Sequence, residues 1–187
     1  MEFLPENAVL IIIDLQKAID HSSWGKRNNL QAEENNVRLL KLWRETHRPL
    51  IHVRHASSEP NSTYRPNQEG FEFKKEVQPM PSETILTKHH HSAFIDTDLE
   101  QQLRSNGWDT LIITGVITNN SVEATVRMAG NLGFDTYVVS DATFTFDKVD
   151  LTGKLHPAED VHNLSLANMH GEYATVVDTA TILEWAK

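Results

Sequence analysis

The sequence predicts a three-layer α/β/α fold whose central sheet has about six mostly parallel strands. Short apolar runs rich in β-branched residues recur along the chain, and stretches with helical spacing of apolar residues lie between them. This alternation is typical of parallel strands joined by crossover helices. The 187 residues suffice for one domain with a substantial core, so we expect a single domain over 1–187.

The first half of the chain supplies two of these strands and a helix. Residues 9–14 form an apolar run that ends in Asp14, where the backbone leaves the sheet. A helix is predicted over 30–46, and it should stop before Pro49 because the residue preceding a proline disfavours helical geometry. The second strand is predicted over 50–53.

A long proline-spotted segment, 60–81, precedes the third strand. It is too long for an ordinary connection and is therefore interpreted as a functional loop or arm. It would supply Phe71 or Phe73 to a pocket or a subunit interface; alternatively, these rings fasten the loop to its own domain. The third strand, 84–87, ends at Lys88.

The stretch 109–141 is interpreted as a βαβ unit. It contains, in order, a strand over 110–114, a loop over 116–120, a helix from Ser121 to a C-terminal Gly133, and a strand over 136–140.

The remaining elements follow from capping signals and apolar spacing. They are a helix through Ser105 that begins at the capping box Thr97-x-x-Glu100, a polar loop over 143–160, a helix over 156–171, a strand over 174–177 and a helix over 180–186. His162 and His170 are expected on the surface of their helix or at an interface.

Three polar residues stand where predicted strands end. In open α/β sheets, working groups collect at the carboxyl ends of the strands, which favours a common site for Asp14, Lys88 and Ser121. Each residue also has a purely structural interpretation. Asp14 would cap a turn, Lys88 would be a surface lysine, and Ser121 would lie in the first turn of a helix capped by Asn120 and Glu123.

The segment GVITNNSVEATVRMAGNLGFDT resembles the signature of the isochorismatase-like cysteine hydrolases, G-x-x-T-x-x-C followed by V-x-x-T-x-R-x-A. The D-x-Q at Asp14 and the Lys88 that follows TILT match the other two members of that family's triad. Ser121 occupies the position of the nucleophilic cysteine, and the chain has no cysteine at all. The resemblance covers nearly the whole chain and implies the isochorismatase-like fold.

This resemblance implies hydrolysis of a small amide or carbamoyl C–N bond through an acyl-enzyme. Asp14, Lys88 and Ser121 would be catalytic, the backbone N–H groups of Ile117 and Ser121 would form the oxyanion hole, and Val116–Ile117 would be a cis peptide. Ser121 would make this an impaired or substrate-trapping form. It is either a natural variant or an engineered replacement, and the intact motif around it favours the replacement.

Two alternatives remain open from the sequence. Some relatives cleave the vinyl ether of isochorismate without a cysteine, using the aspartate as a general acid, and the absence of cysteine here favours that route. A protein that retains the fold as a binding module after losing its nucleophile is the other alternative.

Candidate pocket residues come from positions near the three strand ends and from the loops beside them. The polar loop 20–29 could overhang the site and carries Trp24, which is either a substrate wall or an aromatic residue packed against its own domain. The full set of predicted pocket residues is Gln16, Trp24, His55, Phe73, Phe94 and Asn120.

Composition limits the classes of molecule that we expect the protein to bind. A net charge of -9 and a pI near 5.5 disfavour nucleic acid and anionic membranes, which require a basic surface. The start lacks a basic leader region, and the longest apolar run, 8–13, is too short to span a bilayer. We therefore expect a cytoplasmic protein that acts on a small-molecule amide substrate and assembles as a homodimer or homotetramer.

No cofactor and no metal are expected. His52 and His55 lack an aspartate at the spacing that nicotinamidase-like relatives use. Consecutive residues of an extended segment point to alternating sides, so at most one of His89, His90 and His91 should face the site.

Overall fold

The computed structural model describes residues 3–186 and has a three-layer α/β/α architecture. Its central sheet has six strands, all paired in parallel, in the order β3-β2-β1-β4-β5-β8. The strands in chain order are β1 Val9–Ile13, β2 Leu50–His55, β3 Thr84–Lys88, β4 Thr110–Val116, β5 Asp135–Phe144, β6 Lys148–Val149, β7 Leu155–His156 and β8 Thr175–Val177. β6 and β7 form a separate antiparallel hairpin.

Helices cover both faces of the sheet. They are α1 Ala32–Glu45, α2 Leu99–Ser105, α3 Glu123–Asn131, α4 Ala158–Met169 and α5 Thr179–Trp185. Apolar residues of α1 and α5 share one buried cluster with Leu10 and Ile12 of β1, and those of α2, α3 and α4 share the other with Ile11 and Ile13. Alternate residues of β1 therefore serve opposite cores, which is why its sequence is apolar throughout.

The central strands β1 and β4 approach closely because Gly115 has no side chain. Its φ is 105°, and a Cβ at this position would lie 2.1 Å from the Ile13 carbonyl oxygen. Any other residue would separate the ends of the two strands. This approach brings the residues that follow β4 next to Asp14, which directly follows β1.

Several element boundaries differ from the sequence-based predictions. β5 extends to Phe144, and β6 and β7 lie within the stretch predicted as a polar loop. The predicted capping box before α2 is incomplete: Thr97 Oγ1 accepts a hydrogen bond from the N–H of Leu99 (3.3 Å), but Glu100 pairs with Arg104 instead. The helical positions after β4 divide into a short π-helical turn, Thr118–Val122, and α3.

The long segment 60–81 lies against its own domain. It contains two short 3₁₀ turns, Glu69–Phe71 and Lys75–Val77. The Arg54 guanidinium lies 4.7 Å from the centre of the Phe71 ring, and Phe73 is buried edge-on against His52. The two rings therefore fasten the loop, which was the alternative interpretation.

Some apolar side chains face outward on the described surface, namely Val149, Leu151 and Leu155 on the β6–β7 hairpin and Leu164 on α4. The assembly of the chain as a homodimer or homotetramer stays a prediction.

Among residues 3–186, no helix has the length and apolar character needed to cross a membrane.

Candidate active site

The ends of three strands place the three candidate catalytic side chains. Asp14 follows β1 directly and has a φ of 52°, a left-handed conformation that aspartate tolerates better than most residues. Lys88 is the last residue of β3. Ser121 lies in the turn 118–122, which follows β4. The peptide bond Val116–Ile117, which precedes this turn, is cis, as predicted.

Lys88 joins the other two residues. Its Nζ lies 2.7 Å from Asp14 Oδ2 and 3.3 Å from Ser121 Oγ. The third acceptor is the His90 carbonyl oxygen at 3.1 Å. An ammonium has three protons, so these three contacts use its full donor capacity. The predicted convergence of Asp14, Lys88 and Ser121 is thus present in the structure.

The carboxylate of Asp14 is unusual because one oxygen is held and the other is free. Oδ2 accepts from Lys88, whereas Oδ1 is buried and has no hydrogen-bond partner among residues 3–186. Burial raises the pKa of Asp14; Lys88 opposes this shift, and the Ser121 hydroxyl opposes it to a lesser degree. A free oxygen and a raised pKa suit a group that accepts and returns a proton.

Asp14 and Ser121 border a cavity of about 160 Å³, whereas Lys88 lies behind its lining. Predicted site residues in its lining are Asp14, Trp24, His55, Ile117, Asn120 and Ser121, and the remaining lining residues are Ile19, Ser62, Tyr64, His91 and Val116. His91 is the one member of the histidine triplet that reaches this lining. His89 Nδ1 lies 2.9 Å from the Ala56 carbonyl oxygen, and His90 pairs with Asp96.

Gln16 does not line this cavity; it holds a neighbouring strand. Its Oε1 accepts from the His55 backbone N–H (2.7 Å), and its Nε2 donates to the carbonyl oxygens of His55 (3.1 Å) and Phe71 (3.0 Å). A fully buried amide with these three bonds is committed to structure. Gln16 therefore fixes the end of β2, and with it the position of His55.

Phe73 and Phe94 also lie outside the cavity lining. Phe73 packs edge-on against His52, and Phe94 stacks on Phe134 with ring centres 5.8 Å apart. The structure therefore places neither ring in the lining of this cavity. Phe73 was drawn from the long segment 60–81 and Phe94 from the stretch after Lys88, and the sequence could not give the direction of either side chain.

Tyr64 is the lining residue that sequence reasoning missed most clearly. It comes from the long segment 60–81, and its hydroxyl donates to the Asp14 carbonyl oxygen at 3.3 Å. Its ring packs edge-on against both His55 and Trp24. The available signal was an aromatic residue within a long loop, but Phe71 and Phe73 in the same loop carry the same signal.

Apart from Asp14 and the two histidines His55 and His91, the cavity is lined by uncharged residues. Burial lowers the pKa of His55 to about 4, with a smaller contribution from Lys88, so its imidazole is neutral at physiological pH. Burial likewise raises the pKa of Tyr64 well above its usual value. Among the described residues, no arginine or lysine belongs to the lining.

His162 was expected on the surface of its helix or at an interface, and the structure excludes the helix surface. It is buried on α4, and its Nδ1 lies 2.8 Å from Thr118 Oγ1 in the turn that carries Ser121. His170, in contrast, is exposed, and its Nδ1 accepts from the Val176 N–H. The predicted cap between Asn120 and Glu123 is also absent, because Glu123 pairs with Arg127 and accepts from Ser165.

Residues 3–186 contain no group of three or more acidic or histidine side chains placed to hold a metal ion. Independence from metals and other cofactors stays a prediction.

The structure is an α/β protein with a parallel sheet, and a carboxylate, an ammonium and a hydroxyl are buried together at the strand ends. This is the arrangement of an active site in an α/β enzyme. Comparison with known proteins makes the assignment specific. Residues 8–181 match the family model of the isochorismatase domain. The chain belongs to the isochorismatase family of hydrolases.

Individual relatives agree with this assignment. The isochorismatase family protein YrdC of Bacillus subtilis is 46% identical over 180 residues, which is 96% of each chain. An isochorismatase-family crystal structure from Chromobacterium violaceum has a TM-score of 0.96 and 53% identity, and the match covers 99% of this chain and 96% of that one. The ureidoacrylate amidohydrolase RutB of Pantoea ananatis is 38% identical over 73 residues, covering 39% of this chain and 29% of that protein.

Proposed function

We propose that this chain hydrolyses a C–N bond of a small amide or carbamoyl compound and that Ser121 forms the acyl-enzyme. The observation that carries the proposal is the contact of Lys88 Nζ with both Asp14 Oδ2 and Ser121 Oγ, at 2.7 Å and 3.3 Å, beside a cavity bordered by Asp14 and Ser121. A nucleophile next to a base, with the base oriented by a third group, is the arrangement required for acyl transfer.

In the first half of the reaction, Ser121 Oγ attacks the carbonyl carbon while its proton moves to Asp14. The tetrahedral oxyanion accepts hydrogen bonds from the backbone N–H groups of Ile117 and Ser121. Asp14 then donates the proton to the leaving nitrogen, and the C–N bond breaks to give an ester on Ser121 and a free amine or ammonia.

In the second half, water attacks the ester carbon and gives a proton to Asp14. The ester C–O bond breaks, the proton returns to Ser121 Oγ, and the acid or carbamate leaves. The unpaired Oδ1 of Asp14 is the oxygen suited to these transfers, since Oδ2 is held by Lys88. The Lys88 ammonium stabilises negative charge on Asp14 and on the attacking oxygen.

The volume and the lining of the cavity favour a small and uncharged substrate. Its volume of about 160 Å³ is small beside the roughly 300–1,000 Å³ of typical ligand pockets. The neutral His55 and the hydroxyls of Ser62 and Tyr64 supply polar contacts, and among the described residues the lining has no lysine or arginine to pair with a carboxylate. The activity in the name of RutB, cleavage of a ureido compound, adds ureido groups to the candidates.

One observation favours a second candidate, vinyl-ether hydrolysis of isochorismate. The raised pKa of Asp14, caused by burial, suits a general acid that protonates the ether without any nucleophile. However, isochorismate carries two carboxylates, and no lysine or arginine of the described chain lines the cavity. The amide reaction is therefore preferred.

The test compares the protein with its Ser121→Cys and Ser121→Ala variants on a panel of small amides, ureido compounds and isochorismate. A cysteine thiol near a helical N-terminus and an ammonium has a lowered pKa, whereas a serine hydroxyl does not ionise at neutral pH. We expect Ser121→Cys to raise amide hydrolysis by about 10² or more and Ser121→Ala to abolish it.

Other outcomes would overturn the proposal. Pyruvate release from isochorismate that survives Ser121→Ala would identify the vinyl-ether reaction. If neither the protein nor Ser121→Cys turns over any compound, yet calorimetry detects saturable binding of an amide, the chain is a binding module.

A further inference from the structure

A buried histidine lies directly behind the turn that carries Ser121. His162 is 3% exposed, and it belongs to α4, which packs against residues 118–122. Its Nδ1 lies 2.8 Å from Thr118 Oγ1, and its Nε2 lies 3.4 Å from Asn29 Nδ2. His162 does not line the cavity, so it has no direct access to a substrate.

The neighbours of His162 limit which of its contacts are hydrogen bonds. Asn29 Nδ2 has two protons, which it donates to the carbonyl oxygens of Ser140 (2.8 Å) and Thr143 (2.7 Å), so it has none for His162. The contact of His162 Nδ1 with Thr118 Oγ1 is therefore the hydrogen bond that joins His162 to the turn, and its direction depends on the tautomer of the imidazole.

A second contact helps to hold Thr118 in place, since its Oγ1 lies 3.2 Å from Thr143 Oγ1 at the end of β5. Ser165 Oγ lies 3.4 Å from the Thr118 carbonyl oxygen, but its proton goes to Glu123, at 2.6 Å. Thr118 is the first residue of the turn and directly follows Ile117, the proposed oxyanion donor. Fixing Thr118 therefore constrains the backbone that joins Ile117 to Ser121.

We propose that His162 is a positioning residue: through its hydrogen bond with the Thr118 hydroxyl it fixes the turn that presents Ser121 and the N–H groups of Ile117 and Ser121. This inference rests on the proposed function, because it takes Ser121 as the nucleophile. An apolar residue at position 162 would leave the buried Thr118 hydroxyl without this partner.

The surroundings favour the neutral form of His162. Burial lowers its pKa, while Glu159 on the same helix and the Ser140 carbonyl act in the opposite direction with smaller effect. Across the interface it faces the hydroxyl of Thr118 and the amide of Asn29, neither of which carries a charge.

The test uses a readout that needs no substrate. The chain has no cysteine, so Ser121→Cys introduces a single thiol at the site. Its pKa is measured from the ultraviolet absorbance of the thiolate, and its reactivity from the rate of alkylation by iodoacetamide as a function of pH. Both are then measured with His162→Leu, His162→Asn or Thr118→Val added to Ser121→Cys.

We expect His162→Leu and Thr118→Val each to raise the thiol pKa and to slow alkylation at neutral pH by about tenfold. His162→Asn should restore part of the rate, because an amide can still form a hydrogen bond with the Thr118 hydroxyl. The matched control is Asn163→Ala, the next residue of α4, which is exposed and bonds only Glu159 among the described side chains; it should leave both values unchanged.

Thermal unfolding identifies any variant that fails to fold. If folded His162→Leu and Thr118→Val proteins both keep thiol pKa and alkylation rate within about twofold of Ser121→Cys, the positioning role is refuted. If His162→Leu does not fold, Thr118→Val decides, since it removes only the hydroxyl. Failure to find an amide substrate would overturn the proposed function and leave this measurement unaffected.

Discussion

Two carboxylates, Asp14 and Glu33, each pair with a lysine, yet their pKa values shift in opposite directions. Asp14 Oδ2 lies 2.7 Å from Lys88, and burial raises the pKa of Asp14 despite that contact. Glu33 lies 2.9 Å from Lys74 and 2.5 Å from Arg27. Burial also raises the pKa of Glu33, but hydrogen bonds from both cations outweigh it, and the pKa is about 2.

The number of donors accounts for the difference. Both oxygens of Glu33 are occupied, by two nitrogens of Arg27 and by Lys74, and its side chain is 15% exposed. Asp14 is 6% exposed, and only one of its oxygens is paired. A saturated carboxylate is a permanent anion suited to holding structure, whereas a buried one with a free oxygen can exchange a proton.

The largest expected effect is on catalysis, from Asp14→Asn. An amide cannot take up or return the proton, so we expect kcat/KM for an amide substrate of Ser121→Cys to fall by about 10²–10⁴. Glu33→Gln in the same background should change it by less than about threefold, because Glu33 lies outside the cavity lining. Steady-state rates measured on samples with matched folded fractions check this. Equal losses of kcat/KM in Asp14→Asn and Glu33→Gln would mean that Asp14 supports the fold and does not transfer a proton.

The sequence predicted this site better than its surroundings, for a physical reason. Strand ends and a strand-to-helix turn fix where Asp14, Lys88 and Ser121 lie, so topology alone brings them together. Side-chain direction within loops depends on tertiary packing, which is why Phe73 was assigned to the pocket while Tyr64 in the same segment was not. The buried position of His162 was not predicted, because amphipathic spacing places the polar side chains of a helix in solvent. Here α4 packs a polar side chain against a polar turn instead.

The second effect is on stability, from Glu33→Gln. Glu33 ties Arg27 of the loop before α1 and Lys74 of the long segment to α1 itself. Its folded pKa of about 2 lies below the usual 4.5, so its contribution is fully present above pH 4.5 and is lost as the pH falls through 2. We expect Glu33→Gln to cost about 2–3 kcal/mol at neutral pH.

Urea denaturation at several pH values between neutrality and acid tests this expectation. The difference between the two proteins should narrow below pH 4.5, the usual pKa of the glutamate. Glu34→Gln is the matched control, since Glu34 is the next residue of α1, is exposed and has no ion pair among the described residues. A pH-independent difference would show that the charge of Glu33 is not what stabilises the fold.

The smallest effect is expected from Lys17→Gln, which removes an exposed lysine that pairs with two glutamates. Lys17 Nζ lies 2.6 Å from Glu72 and 3.2 Å from Glu69, and it joins the same two parts of the chain as Lys74 does, the start of the first loop and the long segment. Its side chain is 37% exposed and those of its partners more so, hence water and salt screen the attraction and ordering the long side chains offsets most of it. The backbone bond from the Lys17 N–H to the Glu72 carbonyl oxygen, at 2.8 Å, survives the substitution. The melting temperature Tm should therefore fall by less than about 2 °C in low salt and should not change measurably in high salt. A loss as large as that caused by Glu33→Gln would mean that pairing across these segments, rather than burial of the pair, sets their contribution to stability.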